Sequence, residues 1–251
     1  MDPICIIIPC YNEFRRFPAD EFLDFSKQHP ETSFCLVNDG SNDDTGKLLE
    51  SLREQLPERI IVRTLSENKG KAEAVRTGML HAMKQFDAGY FAYFDADFST
   101  SPEESFRLRD SLLEKSTLEC AFGSRVAILG RKIDRKLSRH ITGRIIATFI
   151  SGILHLMVYD TQCGAKLFKR SLAMKVFENP FISRWLFDVE IMARITGLYN
   201  DQRPEEIMIE VPVKSWSDKG GSKIGWTYGF RVLFDLLKIR QNYKTILRNK
   251  H

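Results

Sequence analysis

This chain of 251 residues has little of what marks several large enzyme classes. Gly-x-Gly-x-x-Gly and Gly-x-x-x-x-Gly-Lys-Ser/Thr are both missing, so dinucleotide and P-loop readings lose ground. Ser-His-Asp hydrolysis lacks its Gly-x-Ser-x-Gly turn. The five cysteines (Cys5, Cys10, Cys35, Cys120, Cys163) are odd in number and form no Cys-x-x-Cys pair. That pattern predicts reduced, buried thiols in a cytosolic setting and argues against a disulfide framework or zinc site. The five histidines stand apart from one another, as structural or surface residues do. No run reaches about 18 uncharged apolar residues, so no spanning helix is expected. A basic segment followed by an apolar one is not seen at the N-terminus, so no signal peptide is predicted. Hydrophobic content of 43% and charged content of 28% are ordinary for a soluble globular protein. The length suits one α/β domain or two small ones, and either buries a proper core.

What is present centres on FDADFST, residues 94–100. Asp95 and Asp97 follow the apolar run Tyr90-Phe91-Ala92-Tyr93-Phe94, which reads as a buried strand ended by Ser, Thr and Pro102. Two carboxylates at a strand tip suit a hard divalent cation that keeps positions open for substrate phosphates. Alone, Asp-x-Asp is more often a turn or helix cap. The rest of the chain supplies context. Strands are predicted at 4–8, 33–37, 60–65, 90–94 and 118–123, and helices at 19–28, about 43–55, 70–86 and 102–115. Such βαβα order predicts a parallel sheet with right-handed crossovers. In such sheets ligands bind beyond the carboxyl ends of the strands, where PCYNE, NDGS, SENKG and DADFST all fall. Asp39 can there accept a uracil imide or guanine ring N–H. Tyr11 can stack on the base or pack as core. Asp95 can hold ribose or assist the metal, and Asp97 can ligate it.

Charge is divided unevenly. Residues 1–125 carry 15 Lys and Arg against 22 Asp and Glu, a net −7, while residues 126–251 carry +11. An acidic half beside a basic one fits a metal-binding region joined to one that meets phosphates or an anionic surface, or solvated faces that merely differ. No nucleic-acid motif accompanies the basic half, and no nucleic-acid partner is expected.

The motifs IIIPCYNE, VNDGSNDDT, ENKGKAEAVRTGM, FDADFSTSPEE and FGSR, in that order, resemble those of family 2 glycosyltransferases of the GT-A fold. DTQCGAKLF (160–168), RWLFDVEIM (184–192) and VPVKSWSDKGGSKI (211–224) resemble the dolichyl-phosphate β-glucosyltransferase branch, near the dolichyl-phosphate mannose synthases. The resemblance spans about residues 4–245. It implies an α/β fold: a Rossmann-like nucleotide-binding sheet, mostly parallel, flanked by helices, as one domain over 1–251. Residues 1–125 would form the nucleotide-sugar half and 126–251 the acceptor half with amphipathic helices. It also implies an inverting hexosyltransferase using Mg²⁺ or Mn²⁺, with UDP-glucose favoured as donor over GDP-mannose and a lipid phosphate as acceptor. Pro9, Tyr11, Glu13, Asp39, Lys71 and Asp95 would bind nucleotide, and Asp95 and Asp97 the metal. Arg125, Arg135, Arg139 and Lys223 would bind diphosphate or acceptor phosphate. There are departures: Asn38 replaces the first of two usual Asp residues, Gly70-Lys71-Ala72-Glu73-Ala74 replaces Gly-Lys-Gly-Gly-Ala, Ser99 stands at a position that contacts metal in some mannose synthases, and no membrane anchor is evident at either end. An inactive nucleotide-sugar-binding module is therefore one alternative.

The acceptor decides the chemistry expected. A lipid phosphate is already ionised and needs cations to position it. A saccharide hydroxyl, the other alternative, needs a carboxylate base; Asp188 is the first candidate and Asp160, otherwise a cap or arginine partner, the second. Segment 141–158 is the most apolar long stretch, follows a basic run at 131–136, and suits either a membrane-interface helix or a core helix. Residues 226–244 are a second basic amphipathic candidate, and Gly220-Gly221-Ser222 reads as a loop able to close over the donor beside Lys223. The location expected is cytoplasmic, with peripheral docking on the inner membrane face.

Overall fold

A computed structural model describes residues 2–134, 143–144, 147–152, 156–219 and 234–243. Arg135, Arg139, Lys223, the 220–222 loop and residues 226–233 lie outside the described residues. Among the latter the chain runs β1 (Ile4–Cys10), α1 (Ala19–Gln28), β2 (Thr32–Asn38), α2 (Thr45–Gln55), β3 (Ile60–Thr64), α3 (Lys71–Gln85), β4 (Tyr90–Phe94), α4 (Glu104–Leu113), β5 (Cys120–Ser124) and β6 (Lys132–Asp134). It continues with β7 (Ala165–Lys169), α5 (Arg170–Val176), α6 (Phe187–Leu198), α7 (Pro204–Ile207), β8 (Met208–Pro212) and β9 (Ser215–Ser217). Seven strands form one sheet in the order β3-β2-β1-β4-β7-β5-β8, and β6 pairs with β9 in a small second sheet.

Strands β1, β2 and β4 are nearly continuous apolar runs because both faces of the sheet are covered. Phe22, Phe25, Leu49, Leu52, Leu108 and Leu112 from α1, α2 and α4 pack one face. Val75, Met79, Leu172, Val189 and Met192 from α3, α5 and α6 pack the other. All five cysteines are buried free thiols. Burial pushes the Cys35 thiol up to about 12 and the Cys163 thiol up to about 11, so neither is poised as a thiolate.

The sheet is mostly parallel, as expected, with one exception. β7 runs antiparallel to both β4 and β5, filling the position between them. Strand order alone cannot reveal this, since AKLF is too short to show its direction. The other pairs, β1–β2, β1–β4, β2–β3 and β5–β8, are parallel. The order reverses at β1, which has β2 on one side and β4 on the other, and a crevice opens there at the strand tips. Within 141–158, Ile150 and Leu156 are core while Phe149 and Met157 point outward. That segment is thus neither wholly core nor wholly surface. Residues 234–243 are helical, burying Leu236 and Ile239.

Candidate active site

A cleft of about 360 Å³ lies at that reversal, lined by Pro9, Tyr11, Glu13, Asp39, Lys71, Asp95 and Asp97 among others. All seven residues expected to bind nucleotide or metal therefore meet in one place. Side chains lace the loops that carry them. Asn12 N–H donates to Ser41 Oγ (3.0 Å), Asn42 N–H to Asn12 Oδ1 (2.9 Å) and Glu13 N–H to Thr45 Oγ1 (2.9 Å). Asn38 contributes locally, its Oδ1 accepting Ser41 N–H at 3.0 Å in an Asx-type turn.

Asp39 is buried at the β2 tip. Its carboxylate accepts the backbone N–H groups of Lys69 (2.8 Å) and Gly70 (2.9 Å) and the Asn68 amide (3.0 Å). Burial raises its pKa, and those two N–H groups and Arg184 only partly offset the rise. Next to it Gly40 has φ +63°, and a Cβ there would sit 2.3 Å from the Glu67 carbonyl carbon. Only glycine lets the two loops approach so closely.

Lys71 opens α3 and points at the β4 tip, its Nζ 2.5 Å from Asp95 Oδ1. Burial disfavours the charge on both. On Lys71 the carboxylates of Asp95, Asp188 and Asp97 outweigh it and raise the pKa; on Asp95 the cations Lys71, Arg125 and Lys166 outweigh it and lower the pKa. Arg16 lies 3.4 Å from Asp97 Oδ2. Asp95 is also cradled by β7's approach: its N–H donates to Gly164 O (3.0 Å), and a Cβ on Gly164 would fall 1.9 Å from Asp95 Oδ2. No group of three or more His, Cys, Asp or Glu arranged to hold a metal ion is found among the described residues. Two partly exposed carboxylates, separated by Ala96 and facing a cleft, nevertheless fit Mg²⁺ or Mn²⁺, which take remaining ligands from substrate phosphates and water.

The two carboxylates considered as bases are both ion-paired. Asp160 takes Arg125 by both oxygens, Nε–Oδ2 at 2.6 Å and Nη2–Oδ1 at 2.8 Å, and the Arg125 guanidinium lies 5.4 Å from the Trp216 ring centre. Burial opposes the Asp160 charge, but Arg125 overrides it and brings the pKa down to about 2. The folded value lies below the unfolded one of 3.8, so the pair's stabilisation is complete above about pH 4 and is lost as pH falls toward 2. Roughly 2 kcal/mol is involved at 1.36 kcal/mol per unit. Acid unfolding of Asp160→Asn, followed by circular dichroism from pH 5 to 2, should show a correspondingly shallower fall in stability. Asp188 begins α6, 4% exposed, accepting from Lys166 Nζ at 2.7 Å and from the Tyr93 hydroxyl.

Four cleft or near-cleft residues were not picked out from sequence. Arg16 pairs with Asp97 as above. Arg184 donates to Lys69 O (2.9 Å) and Asn68 O (2.8 Å), fixing the loop under Asp39, and Trp185 beside it lines the cleft. Lys166 is buried in β7. The signals available for it were a lysine inside the run AKLF and its place in the motif DTQCGAKLF.

Residues 5–177 match the model of Glycosyl transferase family 2. The chain belongs to glycosyl transferase family 2. Its relatives include the dolichyl-phosphate beta-glucosyltransferases of Dictyostelium discoideum, 32% identical over 96% of this chain and 74% of that protein, and of Saccharomyces cerevisiae, 32% identical over 96% and 75%. The human dolichyl-phosphate beta-glucosyltransferase is 28% identical over 96% and 76%. Among solved structures, glucosyl-3-phosphoglycerate synthase from Mycobacterium tuberculosis, in complex with Mn²⁺, UDP and phosphoglyceric acid, superposes with TM-score 0.67 at 13% identity, covering 95% of this chain and 78% of that one. A mannosyltransferase from Pyrobaculum calidifontis with GDP-Man and Mn²⁺ gives 0.62 at 16%, covering 99% and 69%. At those identities the likeness establishes the fold, which is GT-A. This family 2 member is a nucleotide-sugar-dependent glycosyltransferase.

Proposed function

We propose that this glycosyltransferase moves glucose from UDP-glucose to a polyprenyl phosphate of the dolichyl type, with inversion at the anomeric carbon. The observation that carries the acceptor half is the state of Asp160 and Asp188: each is held in an ion pair, with Arg125 or with the buried Lys166. A hydroxyl acceptor needs a carboxylate ready to take a proton. A phosphate acceptor does not. Its oxygen forms the bond to C1 as the bond from C1 to the diphosphate breaks, and no proton moves. The names of the relatives, dolichyl-phosphate beta-glucosyltransferases, support the same reading.

In this reading Asp39 receives the N–H of the base, with Pro9, Tyr11 and Glu13 around it. Asp95 and Asp97 hold the divalent cation, Mn²⁺ or Mg²⁺. When bound, the cation neutralises the diphosphate leaving group. Lys71 and Arg16 hold the two carboxylates in place, and Arg125, held by Asp160, adds positive charge where the phosphates meet. Arg135, Arg139 and Lys223 are proposed to hold acceptor phosphate. An apolar cavity of about 470 Å³ lined by Phe122, Leu156, Met192 and Met208 also has Glu210 on its wall, whose carboxylate accepts Asp160 N–H at 2.6 Å. It supports an isoprenoid acceptor arriving from that side. The deciding experiment incubates the enzyme with UDP-glucose or GDP-mannose, each metal, and either a short polyprenyl phosphate or a plain oligosaccharide. Nucleoside diphosphate release with UDP-glucose and polyprenyl phosphate alone is the expected result; release with the oligosaccharide only overturns the acceptor assignment.

We also propose peripheral contact with an anionic bilayer from a cytoplasmic location. No helix among the described residues is long and apolar enough to cross a membrane. Leu129 is fully exposed on a turn closed by Arg131 N–H to Ile128 O (3.1 Å), and Phe149 and Met157 are exposed on the same half of the chain. Arg131 and Lys132 follow Leu129 closely in sequence, each worth about 1 kcal/mol near an anionic surface. Co-sedimentation with phosphatidylserine vesicles should be strong at low salt, fall steeply as salt rises, and weaken in Leu129→Glu. Protein left in the supernatant at low salt counts against it.

A further inference from the structure

Lys166 is fully buried in the β7 strand and lines no part of the donor cleft. Its ammonium donates to the carbonyl oxygens of Thr161 (3.1 Å) and Cys163 (2.7 Å) and to Asp188 Oδ1 (2.7 Å). The Tyr93 ring and the Phe122 ring lie 5.5 and 5.8 Å from Nζ. So apolar a setting would suit methionine: replacing a buried ion pair by well-packed apolar residues is often neutral or stabilising. What methionine lacks is the three donors. Two of them hold the 160–164 loop, and that loop does two things at the site. At one end Asp160 grips Arg125; at the other Gly164 accepts the Asp95 N–H and leaves room for its carboxylate.

We propose that Lys166 is a positioning residue for the transfer reaction. Its ammonium sets the 160–164 loop so that Asp95 and Arg125 face the donor diphosphate together, and Asp188 is its counter-ion. Nothing in this assignment requires Asp188 to accept a proton. The inference rests on the donor half of the function proposed above and is independent of the acceptor.

The test compares Lys166→Met, Asp188→Asn and the double variant. Thermal unfolding, Mn²⁺-dependent UDP affinity by calorimetry, and transfer to polyprenyl phosphate are measured for each. Lys166→Met strands a buried carboxylate, so its Tm should fall and its UDP affinity with Mn²⁺ drop about ten-fold or more. The double variant removes both charges; its Tm should recover while the loss of about ten-fold in affinity stays, since no ammonium holds the carbonyls. Asp188→Asn keeps an amide oxygen for Lys166, so transfer should stay within about ten-fold of wild type. Should Lys166→Met fail to fold, the double variant carries the same readout. Recovery of UDP affinity together with Tm in the double variant reduces the pair to packing and overturns the proposal. Asp188→Asn with normal Tm and UDP affinity but transfer lowered about 10³-fold makes Asp188 a general base and overturns it too. Wild-type protein whose UDP binding ignores Mn²⁺ removes the donor reading itself.

Discussion

Replacing Asp97 with alanine should lower transfer by about 10²-fold or more and abolish the gain in UDP-glucose affinity that Mn²⁺ confers. The side chain is one of the two carboxylates proposed to hold the metal, with Arg16 3.4 Å from it, and no cluster of three or more acidic, cysteine or histidine residues able to hold a metal is found among the described residues. Calorimetry of UDP-glucose with and without Mn²⁺ measures this directly. Equal metal-dependent affinity in wild type and variant would remove Asp97 from the metal site. Gly164→Ala offers a second route to the same effect. Its new methyl would fall 1.9 Å from Asp95 Oδ2, so the carboxylate must move while every acidic residue remains. A variant that keeps its fold but loses the metal effect would show that position, and not charge alone, governs the site.

Arg125→Ala is expected to have the next largest effect, on both stability and rate. Asp160, 6% exposed in the wild type, would lose its partner, and breaking a buried pair from one side costs about 3–5 kcal/mol. Transfer should fall about 10²-fold beyond what the lost stability explains, because in the proposed function a cation near the phosphates disappears with the side chain. Arg125→Lys restores charge but cannot grip Asp160 by two parallel bonds, so it should recover only part of the rate. Urea unfolding and steady-state kinetics at saturating donor separate the two effects. Wild-type kcat in a stably folded Arg125→Ala would confine the pair to structure.

The cleft of this enzyme was legible in sequence because its residues ride on strand tips. Pro9, Asp39, Asp95 and Asp97 each end an apolar run, and a parallel strand of that kind has only one place to deliver its last side chain. Lys71 follows the same logic from the start of a helix. The order of motifs along the chain therefore determined the fold class, the cleft and most of its lining. The resemblance to family 2 glycosyltransferases, borne out by the family match over residues 5–177, rests on those same positions.

Pairing across the sheet was not legible. Whether Asp160 and Asp188 stand ready as bases or sit in ion pairs depends on which cations β5 and β7 carry past them, and that depends on β7 entering antiparallel between β4 and β5. Direction leaves no mark on a five-residue strand. Its consequences are long-range: Gly164 against Asp95 and Lys166 against Asp188 join residues 69 and 22 positions apart, and only burial in a common core gives those contacts their strength. The chain by itself determined which chemical groups reach the cleft. The tertiary structure decided which of them remain free to act there, because a carboxylate's chemistry is set by the cation packed against it.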